Sequence, residues 1–97
     1  MKLLFSNENV RQKVWYKVYE HNGNKFSIDI RMYNGNGKCE LCKMDSDGIF
    51  RFVADKAIVN APYKNNYFTD DVRHDTENKK IFEDCEKVFL NFIKAIY

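Results

Sequence analysis

The chain has 97 residues, of which 44% are hydrophobic and 31% charged, and its formal net charge is +2. This length fits one domain, residues 1–97, and is too short for two hydrophobic cores. The composition argues against disorder, and a charge of +2 is far from the dense basic surface of non-specific nucleic-acid binders. The apolar stretches at both ends are too short or too interrupted for a signal peptide or a membrane span. We therefore expect a cytoplasmic protein with no membrane partner and three reduced thiols.

Three strands are predicted in the first third of the chain. Residues 2–5 can form a short strand, and a second strand is predicted over residues 13–20. Strict alternation over residues 26–33 predicts a third strand with four large apolar side chains on one face. These side chains are Phe26, Ile28, Ile30 and Met32. The four glycines of the chain lie outside the periodic segments, as a meander of antiparallel hairpins requires.

The loop between the second and third strands decides which side chains face the core. A three-residue loop over residues 21–23 places Val18 opposite Phe26. A two-residue loop shifts the register by one and places Lys17 opposite Ile28. Because burying a lone charge is costly, we predict the three-residue loop. This choice sends three side chains to the other face of the sheet: Trp15, Lys17 and Tyr19.

The middle of the chain continues the meander. A two-residue loop at residues 35–36 predicts a hairpin with Met32 opposite Cys39. The turn at residues 45–48 leads into a strand over residues 49–53, in which Phe50 and Phe52 are the better core candidates. Residues 57–61 are either a strand or a helical turn, and that element ends before a proline.

The clearest element is a long amphipathic helix over residues 77–96, which Asp75 or Thr76 can cap. Eight apolar side chains recur at helical spacing on one face. They are Ile81, Phe82, Cys85, Val88, Phe89, Phe92, Ile93 and Ile96. The predicted fold is therefore α+β, an antiparallel β-meander of four to six strands packed on one long C-terminal amphipathic helix.

Motifs that would indicate catalysis or a cofactor do not occur in the sequence. It contains no phosphate-binding glycine loop, no nucleophile elbow and no HExxH pair, so we expect neither an enzyme nor a cofactor. The metal-like motif is one CxxC pair, Cys39 and Cys42, which Cys85 together with His74 or His21 would have to complete. Residues three apart on a strand point to opposite faces. We therefore expect no metal and keep Cys39 and Cys42 only as the alternative.

The sheet face away from the helix is the remaining candidate site. With the predicted register it carries aromatic and basic side chains of the kinds that dominate protein interfaces. Six are candidate partner-binding residues: Trp15, Lys17, Tyr19, Arg31, Tyr33 and Arg51. Alternatively, residues 1–9 or 56–68 fold across this face and use its aromatic side chains as a second core layer.

Two functions are compatible with these features. The first is a small non-enzymatic protein-binding module whose partner is a host protein or a second copy of the chain. In size, base composition and lack of chemical motifs the chain resembles the short accessory proteins of phages and mobile elements. That group includes stoichiometric inhibitors of host defence such as anti-CRISPR proteins, although no family motif matches. The alternative is a single-stranded nucleic-acid-binding domain whose aromatic side chains stack on bases, and Asp29 and Glu40 in the patch weigh against it.

Overall fold

The computed structural model describes residues 1–12, 14–33, 36–59 and 75–97, apart from the side chain of Tyr33. Five strands form one antiparallel sheet in which the spatial order equals the chain order. The strands are β1 Lys2–Asn9, β2 Val14–His21, β3 Asn24–Tyr33, β4 Asn36–Met44 and β5 Phe50–Ile58, and the helix is α1 Asp75–Ile96. The predicted α+β fold, a β-meander packed on one C-terminal helix, is confirmed.

The predicted register between β2 and β3 is wrong by one residue. The connection is a two-residue turn in which Asn22 and Gly23 have φ angles of 51° and 80°, the positive values of a type I′ hairpin. Lys17 therefore lies opposite Ile28, and Tyr19 lies opposite Phe26. Since a one-residue shift exchanges the two faces of a strand, every side chain of β2 points to the face opposite the predicted one.

The hairpin of β3 and β4 has the predicted faces but a register shifted by two residues. Cys39 pairs with Ile30, whereas the sequence predicted Met32 as its partner. Met32 instead pairs with Gly37, where the two backbones approach closely. A Cβ atom added to Gly37 would lie 1.9 Å from the carbonyl oxygen of Arg31, so this position requires glycine.

Strand β5 is longer than predicted, and a bulge changes its faces. Leu41 pairs with Ala54, while the next residue of β4 pairs with Phe52, so Val53 is the extra residue. Because of this bulge, Phe52 points away from the helix and is 60% exposed. The prediction that Phe52 belongs to the core is wrong. Residues 57 and 58 belong to β5, whereas residues 60 and 61 lie outside the described part of the chain.

The hydrophobic core lies between α1 and the face of the sheet that carries the alternating residues of β3. Helix α1 contacts β2, β3 and β4. The buried residues from the sheet are Trp15, Phe26, Ile28, Ile30, Met32, Cys39, Leu41 and Ile58, and those from the helix are Phe82, Cys85, Phe89 and Ile93. Near the end of the helix, the rings of Tyr97 and Phe26 are 5.0 Å apart. The long C-terminal helix therefore covers one face of the sheet, as predicted.

The buried stripe of α1 differs from the predicted stripe at its margins. Val88 and Ile96, predicted to face the sheet, are 47% and 63% exposed. The stripe includes Glu86 instead, a charged residue one turn after Phe82 and three residues before Phe89. The apolar arc of the helix is wider than the area that the sheet covers, so periodicity alone did not fix its orientation.

Candidate functional site

Three of the six predicted partner-binding residues lie against the helix. Trp15 is 2% exposed, and its ring meets the ring of Phe82 edge to face at 5.8 Å. Lys17 and Tyr19 lie on the same face of β2, opposite Ile28 and Phe26. The prediction that Trp15, Lys17 and Tyr19 lie on the face away from the helix is therefore wrong.

A buried carboxylate on the helix explains why Lys17 lies in the interior. The Lys17 Nζ atom is 3.1 Å from Glu86 Oε2 and 3.0 Å from Glu8 Oε2. The hydroxyl of Tyr19 donates a hydrogen bond to Glu86, and Nζ also lies 4.8 Å from the centre of the Trp15 ring. A buried cation paired with carboxylates costs far less than an unpaired one. The four polar groups thus join β1, β2 and α1 in one network.

The ionisation of these groups follows from their contacts. Burial alone would lower the pKa of Lys17, but its hydrogen bonds to Glu8 and Glu86 raise that pKa above its ordinary value. Burial and the hydrogen bond to Glu86 raise the pKa of Tyr19. Both groups therefore keep their protons at neutral pH, and the network is a structural connection between sheet and helix.

The other three predicted residues lie outside the helix–sheet interface or are only partly described. Arg31 lies on the opposite face of the sheet, with its Nε atom 3.0 Å from Asp29 Oδ2. Arg51 lies after the β4–β5 turn and contacts the carboxylates of Asp45 and Asp47 at 2.8 and 2.7 Å. Tyr33 ends β3, and its side chain is outside the described part of the structure. Both arginines are thus bound to acidic neighbours of the same chain.

The face of the sheet away from α1 is here called the open face. One row of directly paired residues crosses all five strands on this face, and we call it the apolar row. It consists of Phe5, Val18, Ser27, Cys42 and Phe52. The phenylalanines at its two ends are 51% and 60% exposed. Beside it, the Phe5 ring contacts the Tyr16 ring edge to face at 6.0 Å.

The row next to the apolar row carries three carboxylates, and we call it the acidic row. It consists of Asn7, Tyr16, Asp29, Glu40 and Asp55. Lys38 Nζ lies 3.4 Å from a Glu40 oxygen and 3.9 Å from an Asp55 oxygen. The carboxylates are thus partly neutralised within the face, and the open face is not a basic surface.

The cysteines of the CxxC pair point to opposite faces, as the alternation predicted. Cys39 is buried under the helix, while Cys42 lies on the open face and is partly exposed. One metal ion cannot contact both thiols from opposite sides of a sheet. Among the described residues, no group of three or more histidine, cysteine, aspartate and glutamate side chains could hold a metal ion. The alternative metal site at Cys39 and Cys42 is therefore abandoned.

A cavity of about 240 Å³ lies between β5 and α1, and its lining includes Lys56, Ile58, Ile81 and Cys85. Burial raises the pKa of the Cys85 thiol, although the nearby Lys56 opposes this shift. Burial likewise raises the pKa of the Cys39 thiol. Cys39 is on β4 and pairs with Lys56 on β5. Protonated, buried thiols are poor nucleophiles. The cavity therefore offers an apolar recess with one amine and does not resemble an acid–base centre.

Comparison with known proteins gives no relative. No protein-family model, no curated protein and no solved structure matches this chain. In the described part of the chain, no helix combines the length and the apolarity needed to cross a lipid bilayer. Among the described surfaces of the domain, the open face is the most distinctive.

Proposed function

We propose that this protein is a small non-catalytic protein-binding domain that binds its partner on the open face of the sheet. The apolar row supports this proposal, because two exposed phenylalanines end a continuous line of side chains across five strands. Aromatic side chains are enriched at protein interfaces, and Phe5 and Phe52 are more than half exposed at the two ends of the row, whereas Ser27 at its centre is 4% exposed. The paired charges of the acidic row, close beside the apolar row, suit the polar rim of such an interface.

For the biological role, we propose a stoichiometric inhibitor of a host defence protein, carried by a phage or a mobile element. The short chain and a surface suited to binding rather than catalysis support this role. An inhibitor of this kind needs only an affinity for its target, which one sheet face can supply when a few large side chains reach pockets on the partner. Phe5 and Phe52 are the side chains that the open face presents for this purpose.

Single-stranded nucleic acid is the competing partner, because the rings of Phe5 and Tyr16 lie on the open face, and bases stack on aromatic side chains of this kind. The carboxylates of the acidic row weigh against it. Asp29 and Glu40 both contact Arg31, so a phosphate would have to displace carboxylates already in place.

Affinity capture with three forms of the protein tests the proposal. Phe52→Asp places a charge in the apolar row, whereas Ile96→Asp places one at an equally exposed position on the helix, where exposure is 63% rather than 60%. Wild type and Ile96→Asp should recover the same host protein in a 1:1 ratio, and Phe52→Asp should lose it. Equal recovery by Phe52→Asp would show that the open face is not the binding surface.

Binding to single-stranded DNA and RNA oligonucleotides at low and moderate salt tests the competing partner. Electrostatic binding to phosphates weakens steeply with salt. We expect no measurable binding at either salt concentration. Salt-dependent binding that Phe5→Ala or Arg31→Ala abolishes would replace the protein-binding proposal with the nucleic-acid one.

A further inference from the structure

The cavity between β5 and α1 lies on the helix side of the sheet, away from the apolar row. Its lining includes Ile58 and Cys85, which belong to the hydrophobic core and are 4% and 5% exposed. Ile81, one turn before Cys85 on α1, also lines the cavity and packs against the core while remaining partly exposed. The cavity is thus an opening at the edge of the core, and an apolar group that enters it leaves water for carbon contacts.

The cavity carries a positive charge at its rim. Among the described residues that line it, Lys56 is the only charged one, and Lys56 is exposed to solvent. Burial raises the pKa of the Cys85 thiol, and the positive charge of Lys56 opposes that rise. The ammonium group is therefore close enough for its field to act inside the cavity.

The charge of Lys56 is not used by the protein itself. The neighbouring carboxylate on β5, Asp55, points to the open face, where its Oδ2 atom lies 3.9 Å from Lys38 Nζ. On α1, Asp84 Oδ2 lies 3.3 Å from Lys80 Nζ. In the part of the chain that the structure describes, Lys56 has no ion-pair partner. Its ammonium group can therefore bind an external anion without breaking an existing contact.

The volume of the cavity limits the size of a ligand. The cavity measures about 240 Å³. One water molecule takes up about 30 Å³ in the liquid, and a methylene group is of similar size. The cavity therefore accommodates roughly eight non-hydrogen atoms. Hexanoate, with six carbons and two oxygens, has this size.

We propose that the cavity between β5 and α1 is a binding site for a short aliphatic carboxylate. The carboxylate group binds the ammonium group of Lys56 through charge-assisted hydrogen bonds. The hydrocarbon tail packs on Ile58, Ile81 and Cys85. A cationic ligand of the same shape is rejected by the positive rim. This inference goes beyond the proposed function and does not depend on it, because the apolar row lies on the other side of the sheet.

Titration with straight-chain carboxylates, followed by ¹H–¹⁵N NMR, is the primary test. Hexanoate should shift the amide signals of Ile58, Ile81 and Cys85, with a dissociation constant of roughly 1 mM for a ligand of eight non-hydrogen atoms. Each methylene that enters an apolar site strengthens binding about fourfold, so butanoate should bind at least about tenfold more weakly than hexanoate. Octanoate and decanoate should gain little more, because their additional carbons lie outside the cavity.

Two results of this titration would overturn the proposal. The first is the absence of shifts at these three amides up to roughly 20 mM hexanoate, where a millimolar site is nearly saturated. The second is an affinity that keeps rising steeply from hexanoate to decanoate, because adsorption to any apolar surface behaves in this way.

Lys56→Met and an uncharged probe test the role of the ammonium group. The substitution removes the charge at an exposed position and keeps an unbranched side chain, so hexanoate binding should fall about tenfold. Hexanol, which has the same tail, should bind wild type and Lys56→Met equally. Lys87→Met is the matched control, because Lys87 is an exposed lysine on the outer side of α1, and it should bind hexanoate as the wild type does. Unchanged hexanoate binding by Lys56→Met, or an equal loss in both variants, would overturn the proposal.

The open-face variant Phe52→Asp separates this site from the proposed function. It should bind hexanoate as the wild type does, because Phe52 lies on the opposite face of β5. A protein that fails to bind hexanoate but loses its host partner through Phe52→Asp would reject the carboxylate site and keep the protein-binding surface. Hexanoate binding that requires Lys56, together with host recovery that Phe52→Asp leaves unchanged, would do the reverse.

Discussion

Replacing Lys17 with methionine should destabilise this domain far more than the loss of a surface lysine. The Lys17 side chain is only 13% exposed, and its Nζ atom lies 3.1 Å from Glu86, whose side chain is 7% exposed. Lys17→Met leaves this carboxylate buried with the Tyr19 hydroxyl as its remaining partner. Removing one member of a fully buried ion pair costs about 3–5 kcal/mol. Because Lys17 is not fully buried and one hydrogen bond remains, we expect about 3 kcal/mol, or roughly 15 °C in Tm.

Urea denaturation followed by circular dichroism measures this free energy of unfolding. Glu8→Gln is the matched control, because Glu8 is 44% exposed. The ion pair between Glu8 and Lys17 should therefore contribute less than about 1 kcal/mol to the free energy of unfolding. The double variant Lys17→Met/Glu86→Leu removes both charges and should be more stable than Lys17→Met alone. A loss below about 0.5 kcal/mol for Lys17→Met, the usual cost at an exposed site, would refute the burial of Lys17.

Three further predictions concern a glycine, the pH dependence of stability and the thiols. Gly37→Ala should cost about 2–3 kcal/mol in urea unfolding, because its Cβ would collide with a backbone carbonyl of β3; an unchanged midpoint would contradict this contact. The raised pKa of Tyr19 implies that its contribution is complete below the unfolded-state value of 10.0 and is lost as the pH rises through the folded-state value. Stability should thus fall as the pH rises above 10.0, and Tyr19→Phe should reduce the fall; an equal fall in that variant would contradict it. Ellman's reagent should label one thiol, Cys42, in the native protein and all three thiols in urea. Rapid labelling of all three thiols in the folded protein would contradict the burial of Cys39 and Cys85.

The sequence predicted the fold class because its strongest signals are local. Residues 26–33 alternate without interruption, and the apolar side chains of α1 recur at helical spacing. The opposite orientation of Cys39 and Cys42 also followed from strand alternation alone. Each of these inferences needs only the neighbouring residues, so none depended on the tertiary structure.

The faces of β2 could not be predicted because they depend on a residue 69 positions away. The sequence predicts the three-residue loop because the two-residue loop buries Lys17, and burying a charge is costly when that charge is unpaired. Glu86 supplies the counter-ion from the helix. The available signal was Glu86 itself, a carboxylate inside the apolar stripe between Phe82 and Phe89, which calls for a cation on the sheet beneath it.

The orientation of Phe52 was missed for a different reason. A bulge at Val53 reverses the alternation of β5, and bulges leave no clear trace in a sequence with alternating apolar residues. Without the extra residue, Phe52 would point toward α1. The apolar row of the open face, which carries the proposed function, therefore owes one of its two exposed ends to this bulge.

The function proposed here depends above all on which face of the sheet α1 covers. The chain contains a single tryptophan, Trp15, so acrylamide quenching of its fluorescence reports directly on the helix-covered face. Because Trp15 is 2% exposed, quenching in the native protein should be several-fold weaker than in urea. Equal quenching in both states would place Trp15 in solvent, and the open face would then be the opposite side of the sheet.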